Sequence, residues 1–199
     1  MSTQTIDFFA RQFERQIAAA DYALNPFETW ILPHLSGRVL DLGCGLGNLS
    51  LAAARAGHEV DALDGCAQAV ADLARRAQAL ALPVRVGQAD LQHWRAGRCW
   101  DSVVSIGLLM FFACDDARQV LGEIRRAVSP GGIAAVNVLI EGTTYMQMFD
   151  PGRHCLFEPA ELRQTFAGWT LLLDRVDDFP APDASIKRFA TVVARRPAG

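Results

Sequence analysis

Val39-Leu40-Asp41-Leu42-Gly43-Cys44-Gly45-Leu46-Gly47-Asn48 reads as a short buried strand running into a glycine turn that opens a helix. The apolar run is too short for a helix of its own, and Gly43 and Gly45 let the chain reverse and bring bare backbone against a ligand. Asp41 stands near the strand's carboxyl end, the edge at which open α/β sheets place their ligands. A small-molecule cofactor is the expected occupant.

The spacing separates two kinds of cofactor. A dinucleotide turn follows G-x-G-x-x-G, with its third glycine allowing close helix-to-strand packing beside a pyrophosphate. Here that position is Asn48, and the third glycine arrives one residue early at Gly47. A fixed carboxylate at Asp41 also repels a pyrophosphate and attracts a cation. S-adenosyl-L-methionine is such a cation, carrying a sulfonium and an amino group and no phosphate. The stretch resembles the first motif of the class I S-adenosylmethionine-dependent methyltransferases, an acidic residue followed by G-x-G-x-G.

The rest of the chain extends this pattern as alternating strands and helices. Ahead of it, Ile6, Phe9, Phe13 and Ile17 share one helical face, a lid or a packed cap. A second helix opens at Asn25-Pro26 with Glu28 completing a capping box; Tyr22, just before it, either closes over the ligand or sits on the rim. Behind the turn, Leu49, Ala52, Ala53 and Ala56 face inward on a crossover helix that ends at Gly57. A second strand, Glu59 to Asp64, finishes 23 residues beyond Asp41. That is near the interval of roughly 20 residues at which an acidic side chain reaches ribose hydroxyls. Asp61, on the alternate face, is expected to be structural.

A helix bearing Val70, Leu73, Ala74 and Ala77 leads to a third strand from Val84 to Val86, which gives out at Gly87-Gln88-Ala89-Asp90-Leu91. The fourth strand spans Asp101 to Ile106, and Ser105-Ile106-Gly107 is expected to border the cofactor. After a helix with Ala117, Val120, Leu121, Ile124 and Val128 inward, Ser129 to Gly132 turns into a fifth strand, Ile133 to Leu139. The aperiodic stretch Ile140 to Phe157 is expected to fold over the site and shape a substrate pocket. A helix opening at Glu158-Pro159 precedes two β-rich runs, Trp169 to Val176 and Phe189 to Arg195, which read as a terminal hairpin. The order predicts an α/β fold, with a doubly wound, mostly parallel seven-stranded sheet closed by a C-terminal antiparallel hairpin. Residues 1–36 are expected to form a helical cap and 37–199 the cofactor-binding domain.

Composition narrows the function. With 199 residues and net charge −3 in interspersed positive and negative residues, there is no nucleic-acid footprint and no basic membrane face. No apolar run reaches a membrane span and Met1 to Asp7 lacks a signal-peptide build, so a cytoplasmic protein is expected. The five cysteines show no C-x-x-C or Cys/His spacing, which predicts free thiols and no metal site, with Cys155 packed in the aperiodic loop.

A closer likeness lies in Val60-Asp61-Ala62, Leu109-Met110-Phe111, Glu161-Leu162-Arg163, Gly168-Trp169 and Lys187-Arg188-Phe189-Ala190-Thr191 with Ala194-Arg195. On these residues the chain resembles the tellurite-resistance methyltransferase TehB family, whose members methylate oxyanions of tellurium and selenium and some thiol-type acceptors. The class I resemblance implies cofactor contacts from Asp41, Gly43, Gly45, Asp64, Gly65, Asp90, Leu91 and Ile106, with Asp90 and the Leu91 N–H on the adenine. TehB-like proteins carry a His-Arg pair and a further Arg in the hairpin loop. This chain has Asp177, Asp178, Pro180, Pro182, Asp183 and Ser185, which favour a neutral or cationic acceptor over an oxyanion. The expected activity is therefore S-adenosylmethionine-dependent methyl transfer to a small-molecule acceptor, a thiol, chalcogen oxyanion, hydroxyl or amine. No catalytic residue is assigned; His154 is either a base or a surface residue. A non-catalytic cofactor-binding protein and an NAD-dependent oxidoreductase stand as rivals.

Overall fold

The computed structural model describes residues 3–150 and 152–199, with side chains given from Phe9 onward, so the expectation for Ile6 lies outside the described side chains. Seven strands form one sheet in the order β3-β2-β1-β4-β5-β7-β6. They are β1 (Val39–Leu42), β2 (Val60–Asp64), β3 (Val84–Gln88), β4 (Trp100–Ile106), β5 (Val128–Leu139), β6 (Thr170–Pro180) and β7 (Ile186–Arg195). The first five pair in parallel, and β7 runs antiparallel to both β5 and β6, so the terminal hairpin is inserted with its second strand innermost.

β1 is buried along its whole length because it lies between β2 and β4 with a helical layer on each face. Strand alternation sorts its side chains. Leu40 and Leu42 join Val103, Val136 and Val138 in the core under α5 (Cys114–Ala127) and α6 (Glu161–Thr165). Val39 joins Val60, Val104 and Ala135 in the core under α3 (Asn48–Arg55) and α4 (Ala67–Ala79). From β1 the chain steps outward through β2 to β3, then returns to place β4 on the other side of β1. The carboxyl ends of β1 and β4 therefore flank the point where strand order reverses, at which a doubly wound sheet opens a crevice.

Two helices precede the sheet, α1 (Thr3–Ala18) and α2 (Pro26–Ile31). α2 has the expected capping box: Glu28 N–H donates to Asn25 Oδ1 at 3.0 Å and Asn25 N–H donates to Glu28 Oε2 at 2.7 Å. α1 buries Phe13 against Leu46, Cys66 and Ala69.

Several expectations are corrected. β5 begins at Val128, five residues early, because a register shift between Trp100 and Ser102 absorbs the Pro-Gly-Gly turn into the strand. The helix expected from Glu158 is the five-residue α6. β6 runs on to Pro180, so Asp177, Asp178 and Pro180 are strand residues and the hairpin loop is only Ala181 to Ser185. Cys114 and Cys155 form a disulfide with Cα atoms 4.7 Å apart, while Cys44, Cys66 and Cys99 are free. An odd cysteine count and irregular spacing carry no information about two residues brought together by a returning loop. The segment 140–157 is held down by that bond, by Cys155 N–H to Met110 O at 3.0 Å and by an isolated bridge between Ile140 and Phe157. Among the described residues no helix is long and apolar enough to cross a membrane, and no group of three His, Cys, Asp or Glu side chains could hold a metal.

Candidate functional site

The glycine turn acquires its shape from Gly43, Gly45 and Gly47, all three in a left-handed backbone conformation. Gly43, at φ 75°, would place a Cβ 3.0 Å from the Leu108 side chain. Gly47, at φ 69°, is the N-cap of α3, and a Cβ there would fall 2.4 Å from Leu73. The third glycine of the motif is thus the helix cap itself, packed on α4.

This turn floors a cavity of about 360 Å³ at the reversal point. Asp41, Gly43, Gly45 and Asp64 line one part of it, and Ile106 and Gly107 reach it from the end of β4. Of the sequence-predicted site residues, five share this cavity: Asp41, Gly43, Gly45, Asp64 and Ile106. Gly65, Asp90 and Leu91 are not among its lining residues. Asp90 is exposed at the end of β3, its Oδ1 accepting from Gln92 N–H at 3.1 Å, a bond that lowers its pKa. Leu91 is buried in the core beneath α5. Both nonetheless follow Ala89, whose N–H donates to Asp64 O at 3.0 Å, so they continue from the same sheet edge.

Asp64 is fixed by backbone donors. Gly45 N–H reaches its Oδ2 and Cys66 N–H its Oδ1, each at 2.8 Å, so the carboxylate ties the turn after β1 to the turn after β2. Burial raises its pKa and these bonds oppose the rise. Asp41 is fully enclosed; Ser50 Oγ donates to its Oδ2 at 2.6 Å. Burial pushes its pKa up to about 7, with Glu28 and Asp64 adding repulsion and the Ser50 bond pulling the other way. Glu28 lines the same cavity and burial raises its pKa as well. Three desolvated carboxyl groups therefore face one space, and a positively charged occupant would relieve all of them. S-adenosylmethionine fits this donor set: it brings positive charge, and each Asp64 oxygen keeps a lone pair for a ribose hydroxyl beyond its backbone bond.

The remaining wall is of a different character. Phe9 and Phe13 of α1, Phe27 of α2, Phe111, Met148 and Phe189 line it, with Lys187 among them. Sequence periodicity points to Phe9 and Phe13, and the aperiodic stretch expected over the site supplies Met148, whereas Phe27, Glu28, Asn137 and Lys187 are not expected there from the sequence. Strand alternation supplied the missing signal for Lys187. With Phe189 facing the core, Lys187 shares its side of β7 and Arg188 faces out to pair with Asp178 at 3.4 Å. Tyr22 is absent from the lining; its ring stacks under the Arg76 guanidinium, 3.8 Å away. His154 is also absent from it, its ring stacked on Phe149 with centroids 4.9 Å apart. Ser105 is buried in the sheet outside the lining. Asp61 lies on the other face, as expected, accepting from Trp100 Nε1 at 2.7 Å and from Arg98.

Comparison with known proteins gives a match of residues 39–132 to a methyltransferase domain family. Hemagglutinin 1 of Eikenella corrodens is 28% identical over 170 residues, covering 80% of this chain and 55% of that protein. The chain spans about half, or less, of the length of the curated relatives it matches. Among solved structures, TehB from Haemophilus influenzae superposes with TM-score 0.77 at 20% identity, over 87% of this chain and 63% of that one. The 1,6-didemethyltoxoflavin-N1-methyltransferase of Burkholderia thailandensis gives TM-score 0.68 at 21% identity, over 97% and 87% respectively.

Proposed function

We propose that this chain, of TehB-like fold, is a class I S-adenosylmethionine-dependent methyltransferase and that it methylates a small-molecule acceptor inside the cavity at the β1/β4 reversal. One observation carries the reading: the cavity joins an acidic, glycine-floored part to an aromatic and methionine-lined part. The first suits a cationic nucleoside and the second a small apolar reactant. The toxoflavin enzyme was crystallised with its small acceptor and S-adenosylhomocysteine both bound, so this fold accommodates such a pair.

When bound, S-adenosylmethionine supplies an electrophilic methyl carbon on a sulfonium. In this reading Asp64 accepts hydrogen bonds from the ribose hydroxyls, and the backbone of Gly43, Gly45 and Gly65 allows close approach. Ile106 borders the ligand, Asp41 and Glu28 hold negative charge towards the cation, and Asp90 with the Leu91 N–H takes the adenine. Residues 1–36 act as the cap over domain 37–199, with Phe9 and Phe13 excluding water from the acceptor. Holding two reactants in line supplies on the order of 7 to 11 kcal/mol in well-oriented systems. No histidine lines the cavity among the described residues, and its carboxyl groups, Asp41, Asp64 and Glu28, are held by hydrogen bonds at the cofactor part, which favours an acceptor that needs little base assistance. We assign the reaction to the cytoplasm.

A thermal-shift comparison tests the reading. S-adenosylhomocysteine should raise the melting temperature and NAD should not. Transfer of labelled methyl to a panel of thiols, selenite, phenols and small amines separates an enzyme from a cofactor-binding protein; no transfer to any class would leave only the binding role.

A further inference from the structure

We propose that the methyl acceptor is a carboxylic acid with a flat apolar body and that Lys187 is the residue that selects its charge; an O–CH3 bond forms on the carboxylate as the S–CH3 bond of the sulfonium breaks, leaving a neutral ester and S-adenosylhomocysteine with no proton moved. The inference rests on the methyltransferase reading and names the acceptor class of that same cavity. Lys187 is half-buried in the aromatic wall, with Nζ 4.7 Å from the Tyr145 ring centroid, and burial lowers its pKa. Among the described residues no carboxylate lies within ion-pair distance of it.

The acids that might have served are committed elsewhere. Asp177 accepts two bonds from Arg175, at 2.6 and 3.0 Å, and Asp178 pairs with Arg188. In the cavity, Glu28 is held by its capping box, Asp41 by Ser50 and Asp64 by two backbone N–H groups. Asp177 and Asp178 are strand residues and Asp183 sits in the loop, all three outside the cavity lining, so none faces an anion there, and the acceptor proposed departs from the neutral or cationic one expected from the sequence. A partly desolvated ammonium that faces an aromatic ring and no counter-ion gains from a ligand that brings one. A single ammonium, with no arginine fork among the described lining residues, matches a monoanionic carboxylate better than a phosphate. Phe27, Phe111, Met148 and Phe189 around it ask for a flat apolar body.

Calorimetric titration decides the matter, using S-adenosylhomocysteine first and then 2-naphthoate or its neutral counterpart 2-naphthamide. The wild type should bind naphthoate about tenfold tighter than naphthamide, the factor for one partly desolvated charge pair. Lys187→Met should erase that preference while keeping naphthamide affinity, and Lys187→Arg should retain most of it. Equal affinity of the two probes in the wild type, an undiminished preference in Lys187→Met, loss of naphthamide binding with it, or no binding of either probe would overturn the proposal. Failure of S-adenosylhomocysteine to bind in the first step would instead overturn the methyltransferase reading.

Discussion

Ser50 Oγ donates a 2.6 Å hydrogen bond to Asp41 Oδ2, and it is the one side-chain donor that the enclosed carboxyl receives among the described residues. A single hydroxyl does not offset full burial, which leaves Asp41 with a pKa of about 7. A cation entering the cavity favours the ionised form, so binding should expel protons. At pH 7 about half a proton leaves Asp41 when S-adenosylmethionine binds, and almost none leaves above pH 9. Titrations in buffers of different ionisation enthalpy measure this; a proton count that does not change with pH would contradict the placement of the cation beside Asp41.

The same shift has a sign for stability. Asp41 binds its proton more tightly in the folded protein than in the unfolded chain, where the ordinary value is 3.8. Its contribution to the fold is fully present below 3.8 and is lost as pH rises through about 7. Asp41→Asn removes the ionisation, so the ligand-free variant should match the wild type near pH 4 and melt several degrees higher at pH 8. Thermal unfolding across that range checks it, and the same variant should bind S-adenosylmethionine more weakly.

Asp64 and Asp61 lie three residues apart on β2, yet their substitution should have different consequences. Asp64→Asn leaves one of the two backbone N–H groups without an acceptor and removes the charge that the proposed function gives to the ribose. S-adenosylhomocysteine affinity should fall on the order of 100-fold, as for two lost charge-assisted bonds. Asp61→Asn loses its charge against Arg98 and weakens the bond to Trp100, on the opposite face. It should lower stability by about 1 to 3 kcal/mol and leave cofactor affinity unchanged. Calorimetry and denaturant unfolding on both variants separate the two roles; equal loss of affinity would merge them.

Local chemistry explains which parts of this molecule were legible in the chain. The β1 turn, the α2 capping box and the Asp61/Asp64 alternation are each set by neighbouring residues, and each appears where the spacing puts it. Asp177, Asp178 and Pro180 are poor strand formers, so the sequence predicts a longer hairpin loop than the molecule has. The β6–β7 ladder overrides that preference, with Pro180 on the edge strand where its missing N–H costs nothing. The aromatic half of the cavity collects Phe27, Phe111 and Lys187 from distant segments. No window of the sequence contains that information. Cys114 and Cys155, 41 residues apart, are the same case.

That disulfide closes the loop carrying Met148 and Phe149 onto α5, and its effect on stability follows from the length it spans. Cross-linking 41 residues lowers the entropy of the unfolded chain, by about 3 to 4 kcal/mol at 25 °C on the chain-entropy account. The loop has other anchors that reduction leaves intact: Cys155 N–H to Met110 O, Phe157 N–H to Leu139 O at 3.1 Å, and the buried Phe157. In a reducing cytoplasm the pair would stand as two thiols. The fold should then survive reduction with lowered stability instead of collapsing. Cys114→Ser/Cys155→Ala should shift the denaturant midpoint downward in non-reducing buffer and match the reduced wild type. Loss of cooperative unfolding in the double variant would show that the loop depends on the sulfur bridge for its place over the cavity.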